Sequence, residues 1–255
     1  MQKTLVNGIE LAFERRGRGK PLVLIHGYPL DHSIWEPVVP LLENDFDLIL
    51  PDLPGFGESG VPKGNILLTG MAEDIAALLD TLKINKAAMV GHSMGGYVAL
   101  AFARGFPKRL LGLGLVASQG LADSPEKKAG RYQEAEHILA QGVTETANDM
   151  ATKLTDNHNL QAQLKELILK QNPQGLAGAL KGMAERQDSM KLLQELNIHV
   201  ALVHGLADKL IPPERARAIS KIVKNGHLTE IEEAGHMPMM ETPQVTAEAL
   251  KILKI

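Results

Sequence analysis

The chain has 255 residues, 44% of them hydrophobic and 22% charged, with a net charge of −3. That length suits one large globular domain, or one carrying an insertion, and the small charge without long like-charge blocks argues against nucleic acid or an anionic membrane as partner. The sequence has no cysteine, which excludes disulfides, thiol catalysis and thiolate metal sites.

The N-terminus runs straight into strand-like sequence without the apolar core of a signal peptide. No stretch reaches transmembrane length, so a cytoplasmic location is the default expectation. Leu5-Val6 and the alternating Ile9, Leu11 and Phe13 flank Asn7-Gly8, a hairpin signal because both turn positions need positive φ. Pro21–Ile25 predicts a strand ending at His26-Gly27, and a helical stretch from about Ser33 leads to a strand over Leu48–Leu50. Asp52 to Ser59 is a Pro/Gly-rich turn, and Gly70 to Leu82 carries apolar residues at helical spacing. Strands over Lys86–Val90 and Leu110–Val116 enclose a helix beginning near Met94. Apolar runs alternating with amphipathic helices predict a parallel sheet covered on both faces.

From Gln119 to Glu195 the alternation stops and only helical segments remain. Ser124-Pro125 reads as an N-cap followed by proline at the first helical position, opening a helix that ends near Gly142. Asn159 is read as the cap of a helix through Leu169, and Asn172-Pro173 starts another through Met183. Narrow apolar stripes on these helices fit a lid resting on another domain, although ordinary surface helices would show the same pattern. Strand–helix alternation returns with His199–Val203, a helix over Glu214 to Lys224, a strand over His227–Ile231 and a final helix from Pro243.

The chemistry centres on Gly91-His92-Ser93-Met94-Gly95, placed where a strand gives way to a helix. So sharp a reversal strains the central residue and leaves no room for side chains two positions to either side, as in the G-x-S-x-G nucleophile elbow. A serine hydroxyl needs a base, an orienting acid and an oxyanion hole before it attacks a carbonyl. Asp208 follows the strand 199–203 and His236 the strand 227–231, at the carboxyl edge where open parallel sheets form sites. The expected oxyanion donors are the backbone N–H of Met94, at a helix start, and that of Tyr28; the next residue, Pro29, has no N–H to offer.

His26-Gly27, Asp52–Ser59, Gly91–Gly96, Gly205-x-x-Asp208 and Gly235-His236 together resemble the α/β-hydrolase superfamily over almost the whole chain. Within it, the similarity is to the capped serine esterase, enol-lactonase and cofactor-free haloperoxidase group. The resemblance implies an α/β fold, a mostly parallel eight-stranded sheet flanked by helices, with the core at 1–118 and 196–255 and a helical cap at 119–195. It implies a triad of Ser93, Asp208 and His236, no cofactor or metal, and a small-molecule ester as partner; a homodimer is left open. The lone Gly27-Tyr28 pair, in place of a triple-glycine loop, implies a modest hole suited to unhindered esters. Serine at the elbow sets the chain apart from the dehalogenases and epoxide hydrolases of this fold, which use aspartate there. Met94, where proline iminopeptidases usually carry tryptophan, argues against those too. C–C bond hydrolases stay open, although Met237 replaces their usual aromatic residue.

Other residues have plainer readings. Asp52 rivals Asp208 but sits in a turn that it is expected to hold. His26 and His92 are expected to shape the loop and elbow, and His204 to be structural. His32, His137, His158, His199 and His227 are read as lacking convergent partners, and no spacing among them suggests metal. Tyr28, Met94 and Met237 are candidate substrate contacts, with Leu139, Met183 and Trp35 as weaker ones. Three functions follow: a carboxylesterase for small acyl esters, a lactonase or C–C hydrolase on the same triad, and a slow-turnover receptor that keeps the hydrolase fold.

Overall fold

A computed structural model describes residues 1–254. Eight strands form one sheet in the order β1-β2-β4-β3-β5-β6-β7-β8. They are β1 (Gln2–Val6), β2 (Ile9–Gly17), β3 (Lys20–Ile25), β4 (Phe46–Pro51), β5 (Ala87–His92), β6 (Leu110–Val116), β7 (His199–Gly205) and β8 (Asn225–Ile231). β1 and β2 form the expected hairpin, with Asn7 and Gly8 at φ 47° and 83°. β2 is antiparallel to both its neighbours, and every later pairing is parallel. β3 to β7 read as near-continuous apolar runs because helices cover both faces.

One face packs α2 (Leu68–Thr81), α3 (Met94–Gly105) and part of the 119–195 segment, around Leu78, Val98, Phe102 and Leu113. The other packs α1 (Val39–Leu42) and the C-terminal helices around Trp35, Phe46, Val90 and Leu250. The helical stretch expected from Ser33 is two short pieces, a 3-10 turn over His32–Trp35 and α1. Asp31 caps the first through the Ser33 N–H, and Pro40 sits in the first turn of the second.

Between β6 and β7 lie α4 (Pro125–Gln141), α5 (Thr144–Leu154), α6 (His158–Leu169), α7 (Pro173–Ala184) and α8 (Met190–Glu195). The Ser124-Pro125 and Asn172-Pro173 starts are as expected. The α6 cap is Asn157, two residues earlier than expected, because its Oδ1 accepts from the N–H groups of Asn159 and Leu160. These helices join both cores: Ile138, Leu176 and Leu180 enter the first, and Ala147, Leu154 and Ile168 the second. Each such leucine or isoleucine contributes about 2 kcal/mol through burial. In the first turn of α7, Gly175 lets the helix close on the loop after β4, since a Cβ there would collide with the Gly55 carbonyl oxygen. After β7 come α9 (Glu214–Ser220), shorter than the expected helix to Lys224, then α10 (Pro238–Glu241), which periodicity did not reveal, and α11 (Pro243–Leu250).

Candidate active site

Parallel strands deliver the candidate groups to one edge of the sheet. Ser93 stands between β5 and α3 at φ 51°, ψ −115°, a sparsely populated conformation for a residue with a side chain. Three bonds hold it: its N–H donates to Val116 at 2.9 Å, and its carbonyl accepts from Gly96 N–H at 2.9 Å and Ser118 Oγ at 2.8 Å. A Cβ on Gly91 would strike the Gly95 carbonyl, and one on Gly95 would strike that of Ile25. Both glycines are therefore required by close approach.

β7 and β8 are neighbours in register, so the loops that follow them meet. His236 Nδ1 lies 2.7 Å from Asp208 Oδ2, with both side chains buried. The second oxygen of Asp208 accepts from the N–H groups of Leu210 at 2.8 Å and Ile211 at 2.9 Å. Burial by itself would raise this carboxyl. The charge of His236 and hydrogen bonds from His204, His236 and Ile211 outweigh it and hold Asp208 well below the usual carboxylate range. An ionised Asp208 accepts the hydrogen bond from the Nδ1–H of His236, which leaves Nε2 as the nitrogen that can accept another proton.

Ser93 and His236 line one cavity of about 380 Å³, together with Tyr28, Tyr97, Arg131 and Met183. Among the described residues, neither the Tyr28 N–H nor the Met94 N–H donates to another protein group. The Met94 and Met237 side chains are wholly buried and do not line the cavity. This corrects the reading of both as substrate contacts: Met94 belongs to the core under α3 and Met237 to the core beside Leu154 and Trp35. Met183 does line the cavity; Leu139 is exposed elsewhere, and Trp35 is buried under its 3-10 turn.

The remaining histidines divide clearly. His92 donates from Nε2 to the His236 carbonyl at 2.8 Å, and burial followed by the charge of His236 pushes it well below the ordinary imidazole value. It is a neutral strut behind the site. His26 accepts from the Leu53 N–H at 2.9 Å, and His204 donates to the Ile211 carbonyl at 2.8 Å. His32 corrects its reading as partnerless, because its Nδ1 lies 2.6 Å from Asp52 Oδ1. His137 likewise pairs with Glu145 at 2.7 Å. Asp52 holds its own turn by accepting from the N–H groups of His32 and Glu58. Asp31, His32 and Asp52 bring possible metal ligands within 4.8 Å of one another. Asp31 and Asp52 already bind Ser33, Gln171, His32 and Glu58, which accounts for the cluster as loop structure.

Two groups escaped sequence reasoning. Asp123, with its side chain fully enclosed, pairs with Arg131 and Arg186, and the Arg186 guanidinium stacks 4.3 Å over the Tyr97 ring. Glu241 braces the loop of His236. Glu241 lies only six and four residues from the N–H groups it accepts from, and Asp123 draws its cations from α4 and from the loop after α7, so only the folded path of the chain reveals either group.

A family model described as the alpha/beta hydrolase fold matches residues 20–243. A solved thermophilic esterase from Thermogutta terrifontis, in a malate-bound form, superposes with a TM-score of 0.94 at 38% identity, covering 99% of this chain and 97% of that one. The dihydrolipoyllysine-residue acetyltransferase component of an acetoin cleaving system from Pseudomonas putida is 35% identical, across 99% of this chain and 69% of its own length. A pimeloyl-(acyl-carrier protein) methyl ester esterase from Aeromonas hydrophila is 28% identical, across 95% of this chain and 98% of its own length.

Proposed function

Since this chain belongs to the alpha/beta hydrolase fold family, we propose that it is a serine carboxylesterase acting on small, short-chain acyl esters through Ser93, His236 and Asp208. The observation that carries this reading is Ser93, held in a strained elbow, sharing a cavity with a His236 whose other nitrogen is bonded to an ionised Asp208. His236 Nε2 takes the Ser93 hydroxyl proton as the oxygen bonds to the ester carbonyl carbon. The N–H groups of Tyr28 and Met94 receive the oxyanion. Collapse of the tetrahedral intermediate breaks the C–O bond, and His236 returns the proton to the departing alkoxide. Water, deprotonated by the same imidazole, then releases the acid and regenerates the serine.

A cavity of about 380 Å³ lies near the lower end of the usual range for ligand sites, which supports small acyl groups. The segment 119–195 serves as the cap, since Arg131 and Met183 reach the cavity from α4 and α7. Of the three similar proteins, two are named as esterases and one as an acetyltransferase, which supports acyl chemistry at this site. The test is a panel of p-nitrophenyl esters and lactones of increasing acyl length on the wild type and Ser93→Ala. Short esters are expected to be turned over repeatedly, and Ser93→Ala to lose on the order of 10⁶ in kcat. Undiminished turnover in pure Ser93→Ala would sink the reading; a wide preference for lactones would redirect it to a lactonase, and a single burst to a receptor.

A further inference from the structure

The loop carrying His236 is buried and belongs to neither helix nor strand, so its backbone N–H groups need partners from elsewhere. Three successive ones have them. Glu241, at the end of α10, accepts from the Gly235 N–H at 2.8 Å and the Met237 N–H at 3.2 Å, both through Oε2. Between these, the His236 N–H donates to the carbonyl of Leu154, the last residue of α5, at 3.1 Å. The other Glu241 oxygen, Oε1, accepts a hydrogen bond from Thr155, a buried residue just past α5. One residue further, Asp156 pairs with Lys209, which follows Asp208 in the chain.

We propose that Glu241 is a positioning residue for His236, clamping the backbone on both sides of it, and that Thr155 couples the helical insertion to that clamp. The inference rests on the reading of His236 as the base for Ser93. The bond to Asp208 fixes one ring nitrogen, but the place of Nε2 also depends on where the backbone holds the ring. An ionised carboxylate is acceptor-only and bonds N–H groups more strongly than a neutral acceptor does. Here one carboxylate takes two N–H groups from the loop and one hydroxyl from the insertion. A shift of α5 therefore reaches the histidine through two bonds, Leu154 to His236 and Thr155 to Glu241.

The test compares Glu241→Ala, Glu241→Gln, Thr155→Val and Thr155→Ser on p-nitrophenyl acetate, with the folded fraction of each measured by circular dichroism. Glu241→Ala is expected to lose on the order of 10² in kcat per folded molecule, the scale of a misplacement of about 1 Å, with little change in KM. Glu241→Gln should recover most of that loss, because one amide oxygen can accept both loop N–H groups while the Thr155 hydroxyl turns to accept from the amide. A kcat for Glu241→Ala equal to wild type, or a Glu241→Gln as slow as Glu241→Ala, would overturn the proposal.

Where Glu241→Ala does not fold, Thr155→Val carries the test, since it leaves both loop bonds to Glu241 in place. It should lose several-fold in kcat and Thr155→Ser should not; a Thr155→Val with wild-type kcat would overturn the coupling. Nitrogen and proton shifts of the His236 ring decide independently of turnover. They should match wild type in Glu241→Gln and move in Glu241→Ala, or in Thr155→Val if that is the folded variant; unmoved shifts would overturn the proposal. A wild type that hydrolyses no ester defeats the esterase reading alone, because the ring shifts still report the clamp.

Discussion

The His236 imidazole meets Asp208 at 2.7 Å, with both side chains buried and the imidazole in the cavity wall. An amide in place of this carboxylate turns an N–H toward the ring and forces the proton onto Nε2, the nitrogen that has to accept from Ser93. Asp208→Asn is therefore expected to stay folded by circular dichroism and to lose on the order of 10⁴ in kcat on short esters. The folded carboxyl lies below its unfolded value of about 3.9, so the stability it contributes is present above that pH. That contribution is lost as pH falls through the folded value.

Asp123 stands between two guanidinium groups with its side chain fully enclosed, and the Arg186 side chain is nearly so. Asp123→Ala would leave both cations without their counter-charge. Breaking such a buried pair costs about 3 kcal/mol, so denaturant unfolding should show a loss of that size. Since Arg186 stacks on Tyr97 in the cavity wall, KM for short esters should also rise. A variant as stable as wild type would contradict the expectation.

At the elbow, Gly95→Ala places a methyl group against the Ile25 and His26 carbonyls at the end of β3. Backbone cannot yield as a flexible side chain can, and overpacking of this kind costs about 2–3 kcal/mol. Both the midpoint of thermal unfolding and kcat should fall, because the Met94 N–H and the Tyr28 loop are displaced together. An active, fully stable variant would show that the contact relaxes.

His32 and Asp52 stabilise the Asp52–Ser59 turn in a pH-dependent way. Burial by itself would lower His32, but the hydrogen bond and charge of Asp52 outweigh it and raise the imidazole. Burial would raise Asp52, yet the His32 bond and the charges of His26 and His32 bring it below its usual value. The contribution of His32 is thus fully present below its unfolded pKa and is lost as pH rises through the raised folded one. His32→Gln should cost about 1–2 kcal/mol near pH 5, with the gap to wild type closing by about pH 9. Thermal unfolding at both pH values checks this; a gap that widens with pH would refute it.

Much of the architecture was legible because it rests on local rules. Asn7-Gly8 marks its hairpin, Ser124-Pro125 and Asn172-Pro173 mark helix starts, and apolar runs mark the parallel strands. Errors fell where several residues could do the same local task. Asn157 and Asn159 both suit a helix cap, and only the backbone path shows which side chain accepts. The short 3-10 turn and α1 share the apolar content of one helix, but Pro40 and the Asp31 cap divide them.

The sequence by itself determined the elbow around Ser93, the order of Ser93, Asp208 and His236 along the chain, and the sheet that brings them to one edge, because these follow from strand periodicity and glycine spacing. Only the tertiary structure decided that Met94 and Met237 serve the core, that Asp123 joins Arg131 to Arg186, and that Glu241 and Leu154 brace the histidine loop. Some of those contacts, such as Asp123 to Arg186 and His236 to Leu154, join residues tens of positions apart, and the rest turn on the path of a loop or on which way a side chain faces. A pattern along the chain records neither; they are settled when β7, β8 and the 119–195 helices pack together and each buried polar group finds its partner.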